Sequence, residues 1–273
     1  MAIKHKKLRK SFYRKKTASV NLKKLVKTEW IYGFHAVYAA LSNPARSYYQ
    51  LLALPNAKIH YDNWMQIQEP SVLDKLPIAE IATQIDFDRV LTANASHQGI
   101  AVSASILPNI GLEHIIQQST LSGKAQIIVL DQVTDPQNIG AILRSAYAFQ
   151  ATAVIMQERN APRNSGALAK TASGALEWIP LIRSINLNRS IQLLKNAGFW
   201  VTGLDTAATT TLEETEFGEK AVLVLGSEES GLRRLTIKSC DQMTKIPITR
   251  ESNSLNISNA GAIALYELSK KTA

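Results

Sequence analysis

Three polar turns in the second half of the chain carry the side chains best equipped for chemistry. In DPQNIGAILRSA, Asn138 stands where a helix begins, and Arg144 lies six residues further on. In LGSEESGLRR, Gly226 follows an apolar run at a point where a side chain would obstruct a close approach, with Glu228 just after it. In SNSLNISNAGAIALYEL, Ser254 and Asn256 precede a last helix. Each has an ordinary explanation when taken alone. Asn138, Ser254 or Asn256 would be helix N-caps, Arg144 half of a surface ion pair, and Glu228 a carboxylate favoured by a helix dipole. Together they supply amide, hydroxyl, carboxylate and guanidinium groups able to hold a ligand by hydrogen bonds. No GxGxxG and no GxxxxGK[ST] occurs, which disfavours a dinucleotide site or a P-loop, so a ligand at these turns needs another mode of capture. The histidines (His5, His35, His60, His97, His114) all precede this half, and no CxxC or HExxH is present, so a histidine base or metal cluster is disfavoured there. His97 reads as part of a turn, and Cys240 as a buried thiol rather than a nucleophile.

The elements that must position these residues form a strand–helix alternation from residue 125 onward. QIIVLDQV (126–133), AVIMQ, WIPLIRS, WVTGLD, AVLVLG and MTKIPI read as strands. Helices are expected at 139–149, around 165–175, and at 187–197, 231–240 and 256–270. Such alternation argues a mostly parallel α/β sheet covered by helices on both faces. Ligands sit at the carboxyl ends of such strands, which singles out loops 131–140, 226–231 and 247–258. Upstream, TEWIYGFHAVYAALSN reads as one helix on the spacing of Ile31, Phe34, Val37, Tyr38 and Leu41, ended by Asn43-Pro44. Short elements broken by Pro55, Pro70 and Pro77 fill 45–95, and GIAVSAS (99–105) reads as a strand. A connector, 106–124, holds a short helical piece at 112–118. Trp30, Trp64, Trp178 and Trp200 read as core or interface aromatics.

Composition bounds the class. With 273 residues, 45% hydrophobic and 19% charged, the chain matches a soluble globular protein able to bury a core. No apolar run reaches bilayer length, the start lacks the apolar stretch of a secretory signal, and the single cysteine cannot form an internal disulfide. The expectation is an intracellular, metal-free protein that crosses no membrane. Its formal charge of +9 is unevenly placed, because residues 1–27 hold 11 Lys and Arg and no acid. Residues 28–105 carry 4 basic and 7 acidic side chains, and 106–273 carry 16 and 15. An acid-free basic run interleaved with Phe12 and Tyr13 suits a polyanion, through release of counterions from phosphates. A solvated tail and an organelle transit segment are the other readings, and RNA contact is favoured over both.

Taken in order, DPQNIGAILRSA, VLVLGSEESGLRRL and IPI followed by SNSLNISNA resemble the three motifs of the SpoU/TrmH group of SPOUT RNA 2′-O-ribose methyltransferases. The resemblance covers about 125–270. WIYGFHAV (30–37) and SHQGIAV (96–102) are similar to that family's N-terminal substrate-binding module, in the layout of its 23S rRNA guanosine-2′-O-methyltransferase branch. With the basic, disordered arm expected at 1–27 from its charge, the resemblance implies an RNA-binding domain at 28–105, a linker at 106–124 and a methyltransferase domain at 125–273. It also implies a C-terminal trefoil knot, against the usual rule, and a homodimer whose sites are completed by the partner chain. S-adenosylmethionine would be held around Gly226, Ile246 and Leu255, and the methyl group would go to a ribose 2′-hydroxyl. Arg144 matches the residue assigned to hydroxyl activation, and Asn138, Glu228, Ser254 and Asn256 match those that place it. A guanidinium stays protonated in proteins, so Arg144 is better suited to grip the target phosphate and ease proton loss electrostatically. Two features depart from the family pattern: Glu229 stands at a usual glycine, to be accommodated by pointing outward or pairing with Arg233 or Arg234, and 28–105 is net acidic. RNA affinity then falls to the arm and to arginines such as Arg163 and Arg183. The rival readings are a tRNA ribose methyltransferase or a resistance-type rRNA methylase of the same family, or a non-catalytic RNA-binding or ribosome-assembly factor. The expected location is the cytoplasm, or an organelle matrix if 1–27 is a transit segment.

Deleting residues 1–27 is expected to weaken RNA binding and to flatten the dependence of log K on log salt, leaving cofactor affinity unchanged. Filter binding across a salt series checks this. An unchanged slope would remove the arm from RNA recognition.

Overall fold

The computed structural model describes residues 27–69, 73, 75–159, 166–249 and 254–272. The basic arm, apart from Lys27, and Arg163 lie outside the described residues.

The first sheet has four strands: β1 (Thr28–Tyr32), β2 (Tyr48–Ala53), β3 (Ala79–Ile81) and β4 (Ile100–Ser105), in the order β1-β4-β2-β3. β4 is antiparallel to both β1 and β2, and β3 runs parallel to β2. The helix expected across TEWIYGFHAVYAALSN is therefore only partly present. Its first residues form β1, in register Thr28↔Ser105 to Tyr32↔Ala101, and helix α1 covers only Phe34–Ser42. Trp30, Ile31 and Tyr32 are aromatic or β-branched, and β1 buries Ile31 and Tyr32 against its neighbours. Gly33, at φ +85°, makes the break between strand and helix that a Cβ would strain. Helices α2 (Pro55–Gln66) and α3 (Gln84–Val90) complete this half.

The second sheet has seven strands: β5 (Ala125–Asp131), β6 (Ala153–Gln157), β7 (Leu181–Ser184), β8 (Trp200–Leu204), β9 (Thr210–Thr211), β10 (Lys220–Gly226) and β11 (Gln242–Lys245). Their order is β7-β6-β5-β10-β8-β11-β9 and every neighbouring pair is parallel, as the alternation required. Helices α4 (Leu112–Ser122), α5 (Pro136–Ala148), α6 (Gly166–Thr171), α7 (Leu187–Asn196), α8 (Arg234–Ser239) and α9 (Ile257–Thr272) surround it. The connector helix runs further than the expected 112–118, ending at Gly123 in a left-handed cap (φ 76°). β5 shows how both sheet faces are filled. Ile128 and Leu130 pack with Ile139, Ile142 and Leu143 of α5, while Ile127 and Val129 pack with Leu112 and Ile115 of α4 and Ile191 and Leu194 of α7. The core does not stop at the connector, because Ile31 and Val102 of the first sheet and Val37 of α1 belong to one cluster with Leu168, Ala175 and Leu176.

Strand succession reverses at β5, which has β6 on one side and β10 on the other. A crevice opens at such a switch point at the strands' carboxyl ends, and Asp131 and Gly226 are paired there.

His97 takes the turn role read from the sequence. Its ring stacks on Phe87 at 4.1 Å and 12°, and Nδ1 accepts the Gly99 N–H at 3.1 Å. Burial lowers its pKa below the ordinary imidazole value, nearby Lys170 lowers it further, and Asp88 opposes both. The folded chain then binds fewer protons at His97 than the unfolded chain. Stability from this residue is present above about pH 6.5 and is lost as pH falls through that value toward the folded pKa. Urea denaturation at pH 7.5 and 5.5 is expected to show a smaller acid-side loss in His97→Gln than in the parent, and equal losses would discard the linkage.

Candidate active site

The three turns singled out by sequence meet through one carboxylate oxygen. Glu228 Oε1 accepts from Asn138 Nδ2 at 3.0 Å, from Asn256 Nδ2 at 2.6 Å and from the Ile257 N–H at 3.2 Å. Asn256 Nδ2 also donates to Asn138 Oδ1 at 3.0 Å, so the three side chains close on one another. These residues are up to 118 positions apart in the chain. Three local conformations deliver them.

Asn138 lies in the first turn of α5 but is not its cap. The cap is Asp135, whose Oδ1 accepts the Gln137 N–H at 3.0 Å ahead of Pro136. The Asn138 amide is thereby left for Glu228. Asn256 does both jobs: its Oδ1 caps α9, accepting the Ser258 N–H at 3.0 Å and its hydroxyl at 2.5 Å, while Nδ2 faces the other two residues. Glu228 is a helix-start carboxylate, as its type allowed, but the helix it serves is α9, far along the chain from its own turn. Its turn is held by a bridge between Ser227 and Gly231, with Gly231 N–H donating to the Ser227 carbonyl at 2.9 Å. Gly226 is required there, because a Cβ would lie 2.3 Å from the Gly231 carbonyl carbon.

Beside this cluster lies a cavity of about 480 Å³ walled by the ends of β8, β10 and β11 and the start of α9. Gly226, Glu228, Ile246, Ser254 and Leu255, all singled out from sequence, line it. Leu204, Asp205 and Thr206 line it too, and sequence reasoning missed them. They occupy the carboxyl end of β8, so the parallel-strand rule had the means to find them. Asp205 is fixed by its own turn, with Oδ1 accepting the Ala207 N–H at 2.8 Å.

Asp131 is the other residue that sequence reasoning missed. It is fully buried at the end of β5, and its carboxylate takes the Arg233 backbone N–H at 3.0 Å and guanidinium at 2.7 Å. Arg233 therefore closes the Gly226 turn onto β5 rather than answering Glu229. Glu229 lines the cavity, exposed, and forms no ion pair among the described residues. Arg144 is exposed on α5, outside the cavity lining and without a hydrogen-bond or ion-pair partner among the described residues. No group of three or more His, Cys, Asp or Glu able to hold a metal occurs among the described residues. None of their helices is long and apolar enough to cross a membrane.

Residues 125–266 match the SpoU rRNA Methylase family. An uncharacterized tRNA/rRNA methyltransferase of Synechocystis is 35% identical over 243 residues, which is 87% of this chain and 61% of that protein. The 23S rRNA (guanosine-2′-O-)-methyltransferase RlmB of Xylella fastidiosa is 35% identical over 243 residues, 88% of this chain and 96% of the relative. Among solved structures, the AdoMet-bound rRNA methyltransferase of Sinorhizobium meliloti superposes with a TM-score of 0.70 at 20% identity, covering 90% of this chain and 88% of the other.

Glu228→Ala leaves three donors without their shared acceptor. With the site partly open to water the expected cost is about 1 kcal/mol, a fall in Tm of roughly 2–4 °C. Faster hydrogen exchange at the first α9 amides should accompany it. Unchanged Tm and exchange would show that the carboxylate does not tie the turns together.

Proposed function

The chain belongs to the SpoU rRNA methylase family, and on that premise we propose that it methylates the 2′-hydroxyl of an RNA ribose, a guanosine of 23S rRNA, using S-adenosylmethionine. The observation that carries this reading is the closed Asn138–Glu228–Asn256 cluster at the sheet's switch point, beside a cavity at the carboxyl ends of β8, β10 and β11. The cavity residues fit the cofactor. Leu204, Leu225, Ile246, Leu255 and Ile257 offer apolar walls for a base, and Asp205, Glu228 and Glu229 offer carboxylates for the positive charge of a sulfonium and an ammonium. Gly226, Ile246 and Leu255 would hold it through the backbone around them, and when bound it supplies an activated methyl group.

The chain's own residues then have to place a ribose and help its hydroxyl lose a proton. Glu228 holds Asn138 and Asn256 in fixed positions, and such preorganisation is worth most when the reacting atoms must be aligned. Ser254, exposed at the cavity rim, offers a hydroxyl to the incoming sugar. Arg144 grips the target phosphate and stabilises charge as the proton leaves. Its place outside the cavity of its own chain supports a homodimer in which Arg144 faces the partner's site. The neighbouring surface supports the same arrangement, since Tyr147 of α5 and Ile263 and Tyr266 of α9 are large apolar side chains exposed at 50%, 43% and 54%. In this reading residues 28–105 bind RNA, 106–124 connect, 125–273 transfer the methyl group, and the last segment of the chain threads a loop to form a C-terminal trefoil knot.

Arg144→Ala is expected to lower turnover on 23S rRNA by about 100-fold or more, the loss seen when one transition-state donor is removed. Binding of S-adenosylmethionine, measured by calorimetry, should stay within about two-fold of the parent, because Arg144 does not line the cavity. Retained turnover would remove Arg144 from the mechanism, and ribose-methylation mapping of rRNA and tRNA with and without the gene would identify the nucleotide.

A further inference from the structure

The junction between the two sheets is built as a lock. Arg46, just before β2, has a fully buried side chain. Its Nε and Nη2 donate to the two carboxylate oxygens of Glu177 at 2.9 and 2.7 Å, while Nη1 donates to Glu29 Oε1 at 2.7 Å and to the Ser105 carbonyl. Asn43 adds two bonds across the same boundary, from Nδ2 to the Glu177 carbonyl at 3.1 Å and to Oε2 at 2.9 Å. One guanidinium thus binds Glu29 and Ser105 of the first sheet and Glu177 from the other side, in the fork geometry that a lysine cannot reproduce. Burial alone would depress the Arg46 pKa, but hydrogen bonds and charge from Glu177 and Glu29 more than offset it and hold the cation in place.

Glu177 ends a segment, 166–177, that touches both halves of the protein. On one side, a Cβ on Gly166 would lie 2.4 Å from the Tyr32 ring and one on Gly174 would lie 2.4 Å from the Ala39 Cβ, so β1 and α1 sit against bare backbone. Lys170 also donates to the Ser96 carbonyl of the turn that holds His97. On the other side, a Cβ on Gly140 would lie 2.6 Å from the Thr171 Cβ, and the single Thr171 hydroxyl proton lies between two acceptors, the Ala167 carbonyl of its own helix at 3.0 Å and Gln137 Oε1 at 3.3 Å. Gln137 and Gly140 flank Asn138 in the first turns of α5.

We propose that 166–177 is a positioning strap for ribose methylation, with Glu177 and Arg46 as its anchor, fixing the RNA-gripping residues 28–105 relative to the α5 turn that carries Asn138. This rests on the reading of the chain as an RNA methyltransferase whose first sheet holds the substrate. The strap then sets the distance from the gripped RNA to the reacting ribose, so that only a nucleotide at the matching place in the RNA's shape is reached. A displacement of about 1 Å at a reacting centre can cost on the order of 100-fold in rate.

The test uses the full chain, transcribed 23S rRNA and S-adenosylmethionine. Glu177→Ala strips Arg46 and Asn43 of their partner, and kcat/KM for RNA is expected to fall by about 10-fold or more while S-adenosylmethionine affinity stays within about two-fold. Trypsin cleavage at Lys124, the last residue of the connector, should quicken in that variant. Arg46→Met combined with Glu29→Leu and Glu177→Met, which replaces every charged member of the junction by an apolar group, should recover most of the loss, because well-packed apolar groups can replace a buried ion-pair cluster. Arg46→Lys, which keeps the charge without the fork, should not. Should Glu177→Ala fail to fold, Thr171→Val carries the test: a lower kcat with unchanged Tm supports the strap, and an unchanged kcat overturns it. RNA kinetics within two-fold of the parent in a variant whose connector has become cleavable would overturn the proposal and leave the enzyme reading intact. A parent chain that methylates no RNA would overturn the enzyme reading itself.

Discussion

A single carboxylate oxygen makes the site one object. Glu228 Oε1 gathers donors from the first turn of α5, from the residue that caps α9 and from the first backbone N–H of α9, and those elements share no local sequence. Everything around the oxygen serves to deliver the donors. Asp135 caps α5, so Asn138 does not have to. Asn256 splits its amide, with the oxygen committed to its own helix and the nitrogen to the other turns. The Gly226–Gly231 turn folds back tightly enough to exclude a Cβ, and the buried Asp131 pins the residues after it through Arg233. A carboxylate serves here better than a neutral acceptor, because charge-assisted hydrogen bonds are the stronger kind and one oxygen accepts several at once.

Charge is sorted by the same arrangement. The cavity wall carries Asp205, Glu228 and Glu229, a setting that favours a cationic ligand and repels phosphate. A polyanion approaching this end of the sheet is therefore kept from the cavity and must be held by groups elsewhere. Glu229 belongs to this sorting: lying in the wall and outside any ion pair among the described residues, it adds to the field that the proposed cofactor meets, and it is no isolated oddity of the turn. Enclosing Glu29 with Arg46 withdraws one charge of each sign and leaves the acidic balance of 28–105 unchanged. Glu29 is engaged by Arg46, and burial raises its pKa against the opposing pull of that guanidinium, so it adds little to any surface presented to RNA.

The parallel sheet was legible because its strands are apolar on both faces, its turns are small and polar, and helical segments alternate with the strands, as βαβ units require. The three turns were legible as a set for the same reason, since they fall where strand ends must. What misled was local. Ile31, Phe34, Val37 and Leu41 do recur at helical spacing, but Gly33 stands among them and the pairing of Trp30, Ile31 and Tyr32 with β4 outweighs that periodicity. Asn138 looked like a cap because Asn caps helices, but Asp135 followed by Pro136 was the stronger start signal in the same segment. Asp131 and its grip on Arg233 had no sequence signal, since 102 residues separate them and only the switch-point topology brings them together. Arg46 and Glu177, 131 residues apart, are the same case.

These long-range pairs also explain why the first sheet is not a passive appendage. Had the connector alone joined the halves, each would need its own closed core, and the boundary would be polar and wet. Instead, Ile31, Val37 and Val102 share a core with Leu168, Ala175 and Leu176, and the charged groups at the boundary are desolvated and mutually satisfied. A buried pair of this kind is weak as a source of stability, because the cost of desolvation nearly matches the attraction, but it tolerates few alternative arrangements. Its effect is therefore on geometry. It selects one relative placement of the two sheets, and the strap carries that placement to the turn holding Asn138. In an enzyme proposed to pick one ribose from a folded RNA, a fixed relation between the gripping surface and the reacting groups contributes specificity without any side chain having to read the base.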